Sequence, residues 1–143
     1  MKTILAASLI AFAAFAEPTL TDEQQIIALT LLAEARGEGA EGMEAVAMVI
    51  KQRMDNRQQT ASQVCLEPKQ FSCWNGKTSE DLRHLWQSPA APDAIKVVRR
   101  FGKLKTAAIG HADHYCTVKI KPYWSKGKKP VAVIGNHKFF KLR

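Results

Sequence analysis

The run Leu32-Ala33-Glu34-Ala35-Arg36-Gly37-Glu38 puts one carboxyl group among apolar neighbours, close to where an apolar segment stops. Apolar surroundings disfavour the charged form of such a group, and the negative partial charge at a helix C-terminus acts in the same direction. A Glu that keeps its proton near neutral pH can donate it to a leaving oxygen as a general acid. Arg36, two residues on, points elsewhere around a helix and need not neutralise it. The same pattern also fits a Glu34 on a solvent face with Arg36 capping the helix end. His111-x2-His114 has the spacing of a metal-ligand pair, but neither HExxH nor CxxC accompanies it, so no metal is expected. Of the three cysteines, Cys65 and Cys73 are separated by seven residues, which is no zinc-ribbon spacing. Cys116 reads as a small buried hydrophobe or, alternatively, as a thiolate nucleophile paired with His114.

These residues need a scaffold. Thr21-Asp22-Glu23-Gln24 has the form of a capping box, so a helix is expected through Ile26, Ile27, Leu29 and Leu32, stopped by Gly37 and Gly39. A second helix is expected from about Glu41 to Arg57. Its apolar positions Met43, Val46, Ala47, Ile50 and Met54 form one stripe. A short helical turn starts at Thr60, and residues 66–78 read as an ordered loop. Ser79 is expected to cap a short helix carrying Leu82, Leu85 and Trp86, and Pro92 to open another with Ala94, Val97, Val98 and Phe101 on one face. His114 to Ile120 alternates like a strand. Val131–Ile134, Gly135-Asn136 and His137–Leu142 read as a hairpin. Helices first and a small antiparallel sheet last is an α+β order.

At 143 residues the chain has room for one ordinary domain. Its 46% hydrophobic and 24% charged residues exclude a disordered tail or a collagen-like repeat. The net charge of +8 is uneven: residues 17–93 carry −5, whereas residues 94–143 carry +12 with Asp113 the one acid. The C-terminal third is therefore a solvated basic face or an attractor of polyanions. Residues 1–16 read as an export signal: Lys2, the apolar stretch Ile4 to Phe15, then Ala14-Phe15-Ala16 with cleavage before Glu17. The stretch falls short of the roughly 20 residues a membrane span needs. In an exported chain, Cys65 and Cys73 are expected to form a disulfide, contributing roughly 2–3 kcal/mol in the chain-entropy picture.

Ala33-Glu34-Ala35-Arg36-Gly37-Glu38, with Gly42 and the helix to Gln52-Arg53, resembles the opening motif of the SleB-type (spore-cortex-lytic-enzyme-like) cell wall hydrolase family. Pro68-Lys69-Gln70-Phe71-Ser72-Cys73-Trp74 resembles the family's Q-F-S loop. His114-Tyr115, Trp124, Ile134-Gly135-Asn136-His137 and Phe139 resemble its final block. Three motifs in order span residues 24–143. The chain departs from the family at Gln52, where Asn is common, and at Cys116, where His is frequent.

The resemblance implies a mostly helical, lysozyme-like domain over residues 17–143 with a small C-terminal antiparallel sheet. It implies cleavage of the MurNAc-β-1,4-GlcNAc bond of peptidoglycan, with Glu34 as the catalytic acid. No second carboxylate stands at a matching position, and a single Glu suits a lytic transglycosylase better than a two-carboxylate hydrolase. Asp55, Asp93 and Asp113 are the candidates for a second carboxylate if water is the acceptor. Phe71, Trp74, Tyr115 and Trp124 are candidates to stack on sugar rings, or else to pack the core. Gln70, Ser72, His114 and His137 are candidates to hydrogen-bond N-acetyl or hydroxyl groups. The expected partners are peptidoglycan and anionic wall or envelope polymers, with no nucleic acid, no cofactor and a monomeric chain in the periplasm or cell wall. The alternatives are a zinc amidase and a non-catalytic wall- or polyanion-binding module.

Overall fold

A computed structural model describes residues 19–143. The expected export segment and its cleavage point lie outside these residues. Four helices come first: α1 (Asp22–Ala35), α2 (Gly39–Arg57), α3 (Ala61–Leu66) and α4 (Ala91–Arg99). A three-stranded antiparallel sheet follows, made of β1 (His114–Thr117), β2 (Ala132–Ile134) and β3 (His137–Phe140). The chain is thus a mostly helical α+β domain with a small C-terminal sheet. Among the described residues no helix is long and apolar enough to cross a membrane.

Two of the helices start on the same device. Thr21 Oγ1 accepts from Gln24 N at 3.2 Å while Gln24 Oε1 accepts from Thr21 N at 3.0 Å. Thr60 and Gln63 repeat the pattern at 3.2 and 2.9 Å. Each box satisfies two helix-end N–H groups that would otherwise lack partners. α1 packs against α2, α3 and α4 and is buried on nearly every side from Ile27 to Leu32. Such a helix has no polar face to speak of, so periodicity alone cannot orient it. Its one buried polar residue, Thr30, donates to Ile26 O at 2.7 Å and accepts from Trp74 Nε1 at 2.9 Å. α2 is likewise buried well beyond its expected stripe, with Ala45, Met48 and Val49 also inside.

The short helix expected after Ser79 forms as a 3-10 turn that starts later, at Arg83. Thr78 N and Oγ1 both donate to Asp81 Oδ2, at 2.7 and 2.9 Å, and the chain then forms a 3-10 turn, Arg83–Gln87. The sheet has the order β1-β3-β2, with Tyr115 opposite Phe139 and Ala132 opposite Phe139 on its other side. β2 and β3 are joined by Gly135-Asn136, where Gly135 takes φ +55, a conformation that costs L side chains energy.

The cysteines do not follow expectation. Cys65 and Cys73 are free thiols here in place of the anticipated disulfide. Cys65 is on the inward side of α3 with no exposure, packed into the core, whereas Cys73 belongs to a separate 3-10 turn, Ser72–Trp74. Burial pushes the Cys65 thiol up to about 12.

Candidate active site

The C-terminal turn of α1 and the first strand of the sheet meet at one hydrogen bond. Tyr115 Oη, on β1, donates to Glu34 Oε2 at 2.6 Å. Glu34 is partly exposed, and its Oε1 makes no hydrogen bond among the described residues. Tyr115 is held by two rings of β3, brought to it by the register of the sheet. Its ring stacks on Phe139 at 5.8 Å and meets the His137 ring edge-on at 5.1 Å. Burial, then the neighbouring Glu34 charge, raise the Tyr115 phenol well above the ordinary value for tyrosine. The phenol therefore stays protonated and keeps an O–H to donate to Glu34.

Behind this pair lies a buried cation. Arg53, near the end of α2, is 7% exposed. Its Nε donates to Asp113 O at 2.7 Å, and its guanidinium sits 5.4 Å over the Phe71 ring. Burial pulls the Arg53 guanidinium down from the usual arginine range, partly offset by the Asp113 charge. Cys73 adjoins the site on the other side: burial first, then the Glu34 charge, raise its thiol to about 11.

A second carboxylate holds the rim. Glu38, four residues after Glu34, accepts from Asn136 N at 2.9 Å and from Asn136 Nδ2 at 3.2 Å. The backbone N–H of Asn136 outweighs the effect of burial and holds the Glu38 carboxyl below the usual carboxylate range. A side chain at Gly135 would displace the Glu38 carboxylate from Asn136, besides having to take up a positive φ. The α1–α2 junction and the β2–β3 turn are thereby fastened together. The pairing spans 98 residues of sequence, and Glu38 was visible beforehand only as a member of the opening motif.

The other candidate residues are placed as follows. Phe71 is 2% exposed and supports Arg53; Trp74 is 8% exposed and tied to Thr30, so both rings are chiefly core. Gln70 Oε1 accepts from Arg57 Nη2 at 3.0 Å, and Ser72 is exposed beside it in the chain. His114 Nδ1 pairs with Asp113 Oδ1 at 3.0 Å, and its ring lies 5.1 Å from that of the half-buried Trp124. Trp124 also meets Phe140 edge-on at 5.3 Å. His137 is buried against Tyr115.

Two of the three candidate second carboxylates are engaged elsewhere, and the third is exposed. Asp113 is buried and accepts from His114 Nδ1, Leu142 N and Asn56 Nδ2. Its burial is outweighed by these bonds and the His114 charge, which leave its carboxyl below the usual range. Asp93 pairs with Lys96 at 3.8 Å, and Asp55 is exposed at the far end of α2. Gln52 Oε1 accepts from His111 Nδ1 at 3.2 Å, and Gln52 Nε2 donates to Asn56 Oδ1 at 2.9 Å. Among the described residues no three His, Cys, Asp or Glu side chains gather into a metal-ligating group. Cys116 Sγ reaches Ile120 O at 3.7 Å, and burial raises its thiol.

A family model described as Cell Wall Hydrolase matches residues 37–140. The match takes in Glu38, the Gln70–Trp74 loop, Tyr115 and His137, and begins three residues after Glu34. Comparison with curated proteins and with solved structures gives no match.

Proposed function

This chain belongs to the cell wall hydrolase family, and on that footing we propose that it cleaves the MurNAc-β-1,4-GlcNAc bond of peptidoglycan as a lytic transglycosylase with Glu34 as its acid and base. The observation that carries this reading is the 2.6 Å bond from Tyr115 to Glu34 at the partly exposed end of α1. It orients one carboxyl oxygen and leaves Oε1 for substrate.

The chemistry follows from one carboxyl group. Protonated Glu34 gives its proton to the glycosidic oxygen as the bond from C1 to that oxygen breaks. The resulting carboxylate then removes the proton from the C6 hydroxyl of the same muramoyl residue, whose oxygen bonds to C1. The product carries a 1,6-anhydro end, the proton returns to Glu34, and no water is consumed. Tyr115, kept neutral by its surroundings, holds the carboxyl group through both steps without competing for the proton. Among the described residues no second carboxylate is hydrogen-bonded to Glu34 or Tyr115, which suits this route better than a two-carboxylate hydrolysis. Ser72 and Gln70 supply polar contacts for the glycan, with His137 acting through Tyr115. Export to the periplasm or wall fits the family's substrate, and the +12 charge of residues 94–143 draws the enzyme toward anionic wall or envelope polymers.

Mass analysis of the soluble products from purified walls tests the reading. Anhydro ends, lighter than hydrolysis products by one water, are expected. Reducing ends would convert the reaction to hydrolysis. Severed peptide stems on intact glycan, lost with a chelator, would make it an amidase.

A further inference from the structure

Charge alone does not describe the surface farthest along the chain. From Val118 the chain leaves β1, crosses to β2 and enters that strand at Ala132 and Val133. This segment is fixed in place. Trp124 lies on His114 and Phe140, Val118 N donates to Asn136 O at 2.8 Å, Val131 N donates to Phe139 O at 2.8 Å, and Ser125 Oγ donates to Pro122 O at 2.8 Å. What this well-anchored segment shows to solvent is unusual. Tyr123 is 93% exposed, Val133 59%, Ile120 54%, Val131 47% and Val118 39%. These are five of the six large apolar side chains exposed among the described residues.

Lysines are interleaved with them. Val118-Lys119-Ile120-Lys121 alternates apolar and basic side chains, and Lys126, Lys128 and Lys129 follow Tyr123. All five lysines are exposed, and residues 114–143 contain no Asp or Glu. A soluble polyanion would use the lysines and leave the apolar side chains in water. An anionic bilayer uses both, since its headgroups attract lysine while its interface takes up aliphatic and tyrosine side chains. Tyrosine in particular, with an apolar ring and a polar tip, suits the headgroup level.

We propose that Val118 to Val133 is a docking surface for an anionic lipid bilayer, with Ile120 and Tyr123 entering the interface and the surrounding lysines pairing with lipid phosphates. The proposal stands independently of the Glu34 chemistry. It would hold the domain at the membrane side of the wall, presenting α1 and its Glu34 to glycan from there.

Co-sedimentation of the full chain with vesicles of equal parts phosphatidylglycerol and phosphatidylcholine tests it, beside long-chain polyphosphate as a soluble polyanion. Because every variant retains residues 1–18, any vesicle binding by that segment is common to all. Ile120→Ser/Tyr123→Ser should weaken vesicle binding about tenfold and leave polyphosphate binding unchanged. Lys119→Gln/Lys121→Gln should weaken both, and Tyr123→Trp should strengthen vesicle binding alone. Melting curves matching wild type would show that the variants fold. Unchanged vesicle binding by Ile120→Ser/Tyr123→Ser, or an equal loss on vesicles and polyphosphate, would overturn the proposal in favour of a purely polyanionic partner.

Discussion

Tyr115→Phe isolates the hydrogen bond on which the site is built. The change keeps the ring, and with it the contacts to Phe139 and His137, and removes only the O–H that reaches Glu34 at 2.6 Å. A hydrogen bond to a charged group contributes about 1.5–3 kcal/mol. If that bond holds the catalytic carboxyl in place, its loss corresponds to roughly 10- to 100-fold in rate. Because Glu34 is partly exposed, water can replace part of the interaction, so a loss of about tenfold is expected. The assay is the initial rate of turbidity loss of purified walls, read beside a melting curve. Added to Glu34→Gln, the Tyr115→Phe change should lower the rate no further, since both act through one carboxyl group. The raised Tyr115 phenol adds a pH test. In the folded chain it stays protonated above pH ~10, where an unfolded tyrosine ionises. The unfolded state then binds fewer protons, so stability is retained below pH ~10 and falls as pH rises beyond it. In a Tyr123→Phe background, where Tyr115 is the remaining tyrosine, phenolate absorbance should appear only as the protein unfolds. A folded Tyr115→Phe enzyme that clears walls at the wild-type rate would refute the positioning role, and early phenolate absorbance would refute the burial argument.

Gly135→Ala should destabilise the domain by about 1–2 kcal/mol and reduce activity, since it meets a positive φ and the Glu38 carboxylate together; a melting temperature equal to wild type would count against the clamp. Glu38 is held below the usual carboxylate range by Asn136, so its clamp should persist above pH ~4 and weaken only as acid protonates it; Glu38→Gln should remove that acid-side step from a stability–pH curve. With Cys65 pushed up to about 12 and Cys73 to about 11, neither should react quickly with a thiol reagent at neutral pH, and Cys65 should label only on unfolding; rapid labelling of Cys65 in the folded chain would contradict its place in the core. Wall binding through residues 94–143, net +12, should fall as salt rises, because charges are screened within about 10 Å at 0.1 M; affinity indifferent to salt would make the basic surface a solubility device.

The parts of this structure that could be read from sequence are those written in short-range spacing. Thr21 with Gln24 announces α1, and Gly135-Asn136 between alternating residues announces the hairpin. The central bonds are of another kind. Tyr115 reaches Glu34 across 81 residues and Asn136 reaches Glu38 across 98, and no local pattern encodes such a meeting. Glu34 itself stood out because a lone carboxyl group in an apolar run is chemically conspicuous. Tyr115 was legible only as an aromatic residue, equally suited to stacking on a sugar or to packing. The same ambiguity covers Phe71 and Trp74, whose rings are taken up by Arg53 and Thr30. The cysteine spacing suited a bridge, yet the direction of each side chain depends on how α3 and the Ser72–Trp74 turn pack, which spacing does not reveal.

The central claim is that Glu34 is the group that moves the proton, and the rate of wall clearance by Glu34→Gln tests it most directly. Gln is nearly isosteric and can keep a hydrogen bond with Tyr115, so the fold and the melting temperature should stay close to wild type. General acid catalysis supplies roughly 10²–10⁴-fold in rate, and a loss of at least about a hundredfold is expected. A folded Glu34→Gln protein that clears walls at near wild-type rate would remove Glu34 from the mechanism.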